Sequence, residues 1–479
     1  MNPLLVANFL GWLLVGLGSV QLVPAATALM FGESALPFVA SAAVTAIVGG
    51  SIAGATHPPD NRMRVRDGFL AVAVAWLLAS SFGALPYLLT GALTPVDAFF
   101  ESVAGFTTTG STVMTNIEAA PRSLLLWRAM TQWLGGMGII VFAIALMPLL
   151  GVGGMQLFKA EMAGPMASKI TPRVGETAKR LWYVYLGLTA TETVLLALAG
   201  LPLFDAVCHA LTTVSTGGFS TRNASVGAYG SPLVEWIVIV FMLLGGINFV
   251  LHYRALTGNL RSVVRDTELR YFLMLVAGAA LLVAASLWDA DPDGPGTIRR
   301  ALFQTVSIIT TTGYVTADFE VWPSLALLVL LQLMVMGAMA GSTSGGLKSL
   351  RTLIGLRALA SVFVRQIHPL AVSQPARYGG RRVPDDVLAG IWAFFTAFFL
   401  VAALVAGVVA ASGYDLLTAL SAGITTLSNV GPGLGEIGPT EAFAHFPGPV
   451  KLTLALAMIA GRLELFTILV LFHPMFWRR

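Results

Sequence analysis

Thr107-Thr108-Thr109-Gly110, Val214-Ser215-Thr216-Gly217, Thr310-Thr311-Thr312-Gly313 and Ser428-Asn429-Val430-Gly431 decide the fold of this chain. Each stretch closes a segment, roughly 95–118, 203–225, 297–318 and 414–436, that is too polar to face lipid and too apolar to be an ordinary loop. The glycines stand 107, 96 and 118 residues apart, which no local compositional bias produces. A fourfold internal repeat of span, half-helix, loop and span is the economical reading.

The surrounding sequence supplies the spans. Only 11% of the 479 residues are charged and 56% are hydrophobic, against about 25% charged in soluble proteins. With a mean hydropathy of +0.80, too little polar surface exists to cover a water-soluble globule. Apolar runs long enough for a bilayer fall near 4–31, 36–56, 69–90, 121–150, 183–203, 230–251, 271–288, 323–346, 387–411 and 449–473. The first run lacks a basic leader region, so it reads as a retained span. The expected architecture is an all-α polytopic membrane protein. Two extra N-terminal transmembrane helices occupy 1–57, and four pseudo-symmetric pore repeats follow at 58–152, 153–253, 254–366 and 367–479, arranged around one axis.

Charge supports this topology independently, because basic residues gather on the cytoplasmic side of membrane proteins. The connections 57–68, 152–182, 252–270 and 347–386, with the Arg478-Arg479 tail, hold 21 of the 28 basic residues. The half-helix segments and their flanks carry Asp97, Glu101, Glu118, Asp205, Asp318, Glu320 and Asp415. Both termini are therefore expected to be cytoplasmic, with the repeated loops dipping in from outside.

Non-helical backbone at membrane depth survives only where protein or a wet cavity satisfies it. Four such loops on one axis bring four sets of carbonyls together, the ligand set that replaces the water shell of a monovalent cation. Glycine permits the positive φ angles that aim carbonyls inward, and half-helices present their negative carboxyl ends to the cation.

These loops, together with Gly341-Ser342-Thr343-Ser344-Gly345-Gly346-Leu347-Lys348, Ser428-Asn429-Val430-Gly431-Pro432-Gly433-Leu434-Gly435, Gly461-Arg462-Leu463-Glu464-Leu465-Phe466 and the closing His473-Pro474-Met475-Phe476-Trp477-Arg478, resemble the TrkH/KtrB family of bacterial potassium-uptake proteins over nearly the whole chain. The two leading spans favour the TrkH branch. The resemblance implies that each glycine and the two residues before it line potassium sites: Thr108, Thr109 and Gly110; Ser215, Thr216 and Gly217; Thr311, Thr312 and Gly313; Asn429, Val430 and Gly431. It also implies a homodimer resting on a cytoplasmic ring of nucleotide-binding TrkA-type subunits, with the basic 347–386 connection as docking surface or as a contact for anionic lipid headgroups.

Two gates are legible. Residues 337–346 hold four glycines and three hydroxyl residues inside an apolar run, where a continuous helix is weak. Gly341, Ser342, Thr343, Ser344, Gly345 and Gly346 read as a mobile intramembrane loop with Lys348 near its cytoplasmic edge, and the corresponding loop of TrkH-like proteins obstructs ion passage. Arg462 lies eleven residues beyond Lys451 on the last span, about 16 Å deeper at ~1.5 Å per residue. An arginine at that depth needs a compensating environment, and Glu464, at i+2, points to another face. The resemblance implies that Arg462 repels cations beneath the filter.

The chain carries no sign of enzyme chemistry. It lacks a His-Glu-x-x-His motif, Gly341 to Gly345 centres on threonine rather than serine, and Cys208 is the single cysteine. No cofactor is expected, with K+ as the transported ion. Passive flow, sodium- or proton-coupled symport, and a non-conducting scaffold remain open at this level.

Overall fold

A computed structural model of the chain describes residues 1–58, 64–145, 171–288, 294–368 and 376–478. Arg62, Lys159, Lys169 and the far end of the 121–150 run lie outside the described residues. The fold is the expected all-α polytopic one, and the chain is a multi-span membrane protein. Among the described residues six helices are long and apolar enough to cross a bilayer: Pro3–Met30, Leu36–Ala55, Val65–Leu89, Glu176–Leu198, Thr267–Leu287 and Asp385–Ala411. Among the described residues the one β element is a two-stranded hairpin, Arg377–Tyr378 with Arg381–Arg382, inside the long basic connection.

The first two helices pack backbone to backbone. A Cβ on Gly11 would stand 2.7 Å from the Gly49 carbonyl oxygen, so small residues permit the contact. Gln21 ties this pair to the first repeat by donating to the Phe82 carbonyl at 3.1 Å, while its own carbonyl accepts from Thr45 Oγ1 at 3.2 Å.

Each repeat contributes one short buried helix: Pro95–Phe106, Leu203–Val214, Pro295–Ile309 and Leu416–Ser428, called pore helices 1 to 4. Their starts follow local rules. Pro95 and Pro295 occupy the first helical turn, where no N–H is missed, and Asp415 accepts from the Leu417 and Thr418 amides at 2.9 and 3.2 Å.

The helices that follow the pore helices differ from one another, and here the sequence expectation needs correction. The first, Arg122–Ala145, is continuous as far as it is described. The 230–251 run is broken, with Pro232–Gly246 and Phe249–Leu256 meeting at 103°. The 323–346 run is helical only over Ser324–Met336, because Gly337 takes φ +67° and ends it; a loop runs to Lys348 before Ser349–Ile367 begins. The last run is bent by 107° between Gly448–Arg462 and Phe466–Phe472, where Glu464 and Leu465 both have positive φ. Apolar composition marked the 230–251 and 449–473 runs as plain spans, whereas the break after Met336 falls where the glycine density of 337–346 led a loop to be expected.

Candidate functional site

Beyond each pore helix the chain makes the same turn. Thr108, Thr216, Thr311 and Asn429 have φ between 52° and 57°, the left-handed region that a β-branched residue adopts only under constraint. Their amides donate back to Gly105, Thr213, Ile308 and Thr426, and the next amides reach Ala104, Thr212, Ser307 and Thr425. Two residues after each strained position stands a positive-φ glycine: Gly110, Gly218, Gly313 and Gly431, at 82°, 77°, 78° and 111°.

This equivalence corrects the second loop by one residue. Reading the first glycine after the hydroxyl residues made Ser215, Thr216 and Gly217 the counterparts of Thr108, Thr109 and Gly110. The backbone pairs Thr216, Gly217 and Gly218 with them instead. Two consecutive glycines hid the register, and Ser215 corresponds to Thr107, Thr310 and Ser428 at the pore-helix end.

The loops close on one another in a ring. A Cβ on Gly110 would overlap the carbonyl oxygen of Gly217, one on Gly218 that of Thr312, one on Gly313 that of Val430, and one on Gly431 would stand 2.8 Å from that of Thr109. Repeat 1 thus abuts 2, 2 abuts 3, 3 abuts 4 and 4 abuts 1. The carbonyls involved, of Thr109, Gly217, Thr312 and Val430, are themselves equivalent. Each loop thus brings one equivalent backbone carbonyl to the seam with its neighbour, and rings of backbone carbonyls are the ligand set that can replace the water shell of a monovalent cation. All four glycines also border a cavity of about 250 Å³.

Each seam between loops is held differently. Ser111 Oγ donates to the Gly431 carbonyl at 3.0 Å, and Asn429 Nδ2 donates to Thr109 Oγ1 at 2.9 Å. Tyr314, directly after Gly313, shares its hydroxyl with Thr212 and donates to the His209 carbonyl at 3.1 Å. The Glu320 carboxylate accepts from the Gly435 amide at 2.6 Å; partial burial raises its pKa, which that hydrogen bond lowers in part. Arg128 pairs with Glu101 at 2.9 Å, both fully buried, and donates to the Ser220 carbonyl at 3.1 Å. Arg128 was missed in the sequence, although an arginine inside an apolar run is a signal in itself.

The 337–348 loop, none of whose residues lines that cavity, packs against the turns of repeats 2, 3 and 4. Thr343 Oγ1 donates to the Val214 and Gly245 carbonyls, both at 3.1 Å, and accepts from Thr216 Oγ1 at 3.1 Å. The Gly345 amide donates to Thr311 Oγ1 at 2.7 Å, and a Cβ on Gly345 would overlap the Ser428 carbonyl. Gly341 and Gly346, at φ +76° and +71°, turn the chain, and Ser342 and Ser344 bond to each other at 2.8 Å. Lys348, expected near the cytoplasmic edge of the loop, is buried there, with Nζ folded back on the Ser344 carbonyl.

Arg462 ends its helix beneath this loop. Its guanidinium donates to the Thr343 carbonyl at 2.5 Å and to the Gly135 carbonyl at 3.1 Å, bridging the loop to the first repeat. Glu464 pairs with Arg351 instead, as its facing predicted. The sequence therefore located the loop and the arginine separately, and the structure joins them.

Comparison with known proteins agrees with this geometry. A family model described as TrkH, cation transport protein, matches residues 36–479. The chain is 40% identical over its whole length to the Trk system potassium uptake protein TrkH of Halomonas elongata, covering all of that protein. It is 38% identical to the protein of the same name from Escherichia coli K12, covering 99% of each chain. The crystal structure of the potassium transporter TrkH from Vibrio parahaemolyticus superimposes with a TM-score of 0.92 at 37% identity, with both chains fully covered. These relatives are named as transporters rather than enzymes, and the chain belongs to the TrkH family of cation transport proteins.

Proposed function

We propose that this protein takes up potassium across the bacterial inner membrane through a filter made by its four loops, gated by the 337–348 loop. The observation that carries the reading is the closed glycine-to-carbonyl ring of Thr109, Gly217, Thr312 and Val430. The potassium uptake named for its relatives points the same way. The ion-binding set is Thr108, Thr109 and Gly110; Thr216, Gly217 and Gly218; Thr311, Thr312 and Gly313; and Asn429, Val430 and Gly431, with Ser215 supporting the second loop from behind. In this reading the cavity beside the ring faces outward and both termini are cytoplasmic, which the gathering of basic residues in the connections supports.

A cation leaving the ring meets the Thr343 and Gly345 region, so flow requires Gly341 to Gly346 to withdraw. Arg462, bonded to the Thr343 carbonyl, holds the loop in place and adds positive charge beneath the ring. Lys348 and Ser344 brace the far end of the loop. Withdrawal is driven from the cytoplasmic side by a TrkA-type nucleotide-binding ring docking on a homodimer, with the basic 347–386 connection as the contact.

Rb+ influx into proteoliposomes at fixed voltage, pH and sodium gradient tests this. The reading expects influx that follows the potassium gradient and exceeds sodium influx. Influx that stops without a proton or sodium gradient would make the protein a coupled carrier, and an intact protein that passes no cation would overturn the proposal.

A further inference from the structure

The second loop departs from the other three at one position. Where Thr109, Thr312 and Val430 carry side chains, it has Gly217. A Cβ there would strike the side-chain amide of Gln132, which arrives from the first repeat's Arg122–Ala145 helix. Gln132 is fully buried; its Nε2 donates to the Gly217 carbonyl at 2.6 Å, and its Oε1 accepts from the Phe219 amide at 3.0 Å. Both partners have fixed polarity, so the orientation of the amide is determined.

Pseudo-symmetry shows what is unusual. Gly135, Gly245 and Gly461 are equivalent, since a Cβ on each would press on the carbonyl of Phe106, Val214 or Leu427, the residue just before its own loop. Three residues earlier stand Gln132, Met242 and Met458, all fully buried. Only the first repeat of these three has a hydrogen-bonding side chain at that point, and it reaches the one loop that has no side chain at the position of Thr109, Thr312 and Val430.

We infer that Gln132 is a specificity-determining residue, a positioning group from repeat 1 that fixes the carbonyl which repeat 2 contributes to the ion ring. The inference rests on the filter reading above. Discrimination between K+ and Na+ depends on how the ring oxygens are held and on their field strength. At Gly217 both are set by a side chain that never touches the ion. Without the Nε2 donor and the Oε1 acceptor, the strand from Gly217 to Phe219 is free to shift, and the ring adjusts to the smaller cation.

The test is Rb+ uptake under sodium competition, in proteoliposomes, for Gln132→Met and Gln132→Glu. The first gives repeat 1 the residue of repeats 2 and 4; the second keeps an acceptor for Phe219 and replaces the amide donor to Gly217 with a carboxyl oxygen that is charged or carries a proton of its own. Each variant is expected to lower the preference for Rb+ over Na+ by about fivefold, the equivalent of one hydrogen bond. Gly217→Thr alone should abolish uptake, because the new side chain meets Gln132, and Gln132→Met/Gly217→Thr should restore it. A Gln132→Met protein with wild-type preference, or no rescue in the double variant when it folds with a wild-type melting temperature, overturns the inference. Gly313→Ala is the control: if its uptake and preference both stay at wild type, the filter reading has failed, and if it is impaired while Gln132→Met is not, only the role of Gln132 has.

Discussion

The four loops and the four helices that follow them come from the same repeat, yet they have diverged in opposite ways. At the ring, sequences as different as Thr-Thr-Thr-Gly and Ser-Asn-Val-Gly give φ values within 5° of each other at the strained position. Below the ring, one helix is continuous as far as described, two are bent by more than 100°, and one dissolves into a loop. On the proposed function, symmetry is kept where several oxygens must lie at one distance from one ion, and it is lost where a path must open and close. A single cation samples all four loops at once, whereas a gate needs only one movable element braced by the others.

The sharpest way to break this comparison is to put a side chain into the ring. Gly218→Ala and Gly313→Ala each add a Cβ to a positive-φ residue against a neighbouring carbonyl, and Rb+ uptake should fall by roughly a hundredfold. Ser215→Ala, one position behind the ring, should stay within about twofold, since it loses one hydroxyl bond to the Thr212 carbonyl. The reverse order of effects would restore Gly217 as the counterpart of Gly110.

Next comes the unequal half. Arg462→Gln shortens and neutralises the group that bonds the Thr343 and Gly135 carbonyls, so uptake without any regulatory partner should rise on the order of tenfold. Unchanged kinetics in a folded protein would reduce Arg462 to architecture. Gly341→Ala forces strain on a residue at φ +76° whose Cβ would stand 3.0 Å from the Asn248 amide. Destabilising the closed loop in this way should raise partner-free uptake by about fivefold, read in the same assay.

The smallest effect belongs to the pore-helix caps. Asp415 is exposed, and hydrogen bonding to Thr418 and the neighbouring amides lowers its pKa. A depressed carboxylate stabilises the fold above its unfolded pKa, and that contribution disappears as pH falls through the folded value. Asp415→Ala should therefore cost about 1 kcal/mol or less at pH 7, and the gap in melting temperature from wild type should close below about pH 4.

How much of this was legible in sequence follows the same division. The four pore helices and the strained turns after them were visible because a glycine requirement and a hydroxyl cluster recur at long spacing. The two N-terminal helices were visible from apolar length. The break after Met336 was foreshadowed by glycine density, but the bends after Gly246 and Arg462 were not, because Leu, Ile and Phe surround both and hydropathy cannot see a kink. The second loop was misread by one residue for a tertiary reason: Gly217 exists to admit Gln132, and nothing local distinguishes it from the ring glycine beside it. Arg462 was found by its depth, while its bond to Thr343, 119 residues away in sequence, required the fold.

The central claim is that one alkali ion is coordinated by oxygens from all four loops. Anomalous scattering from crystals grown in Rb+ or Tl+ locates such ions directly. The account predicts a peak on the axis enclosed by the carbonyls of Thr109, Gly217, Thr312 and Val430; bound ions found only elsewhere, or against fewer than four loops, would contradict it.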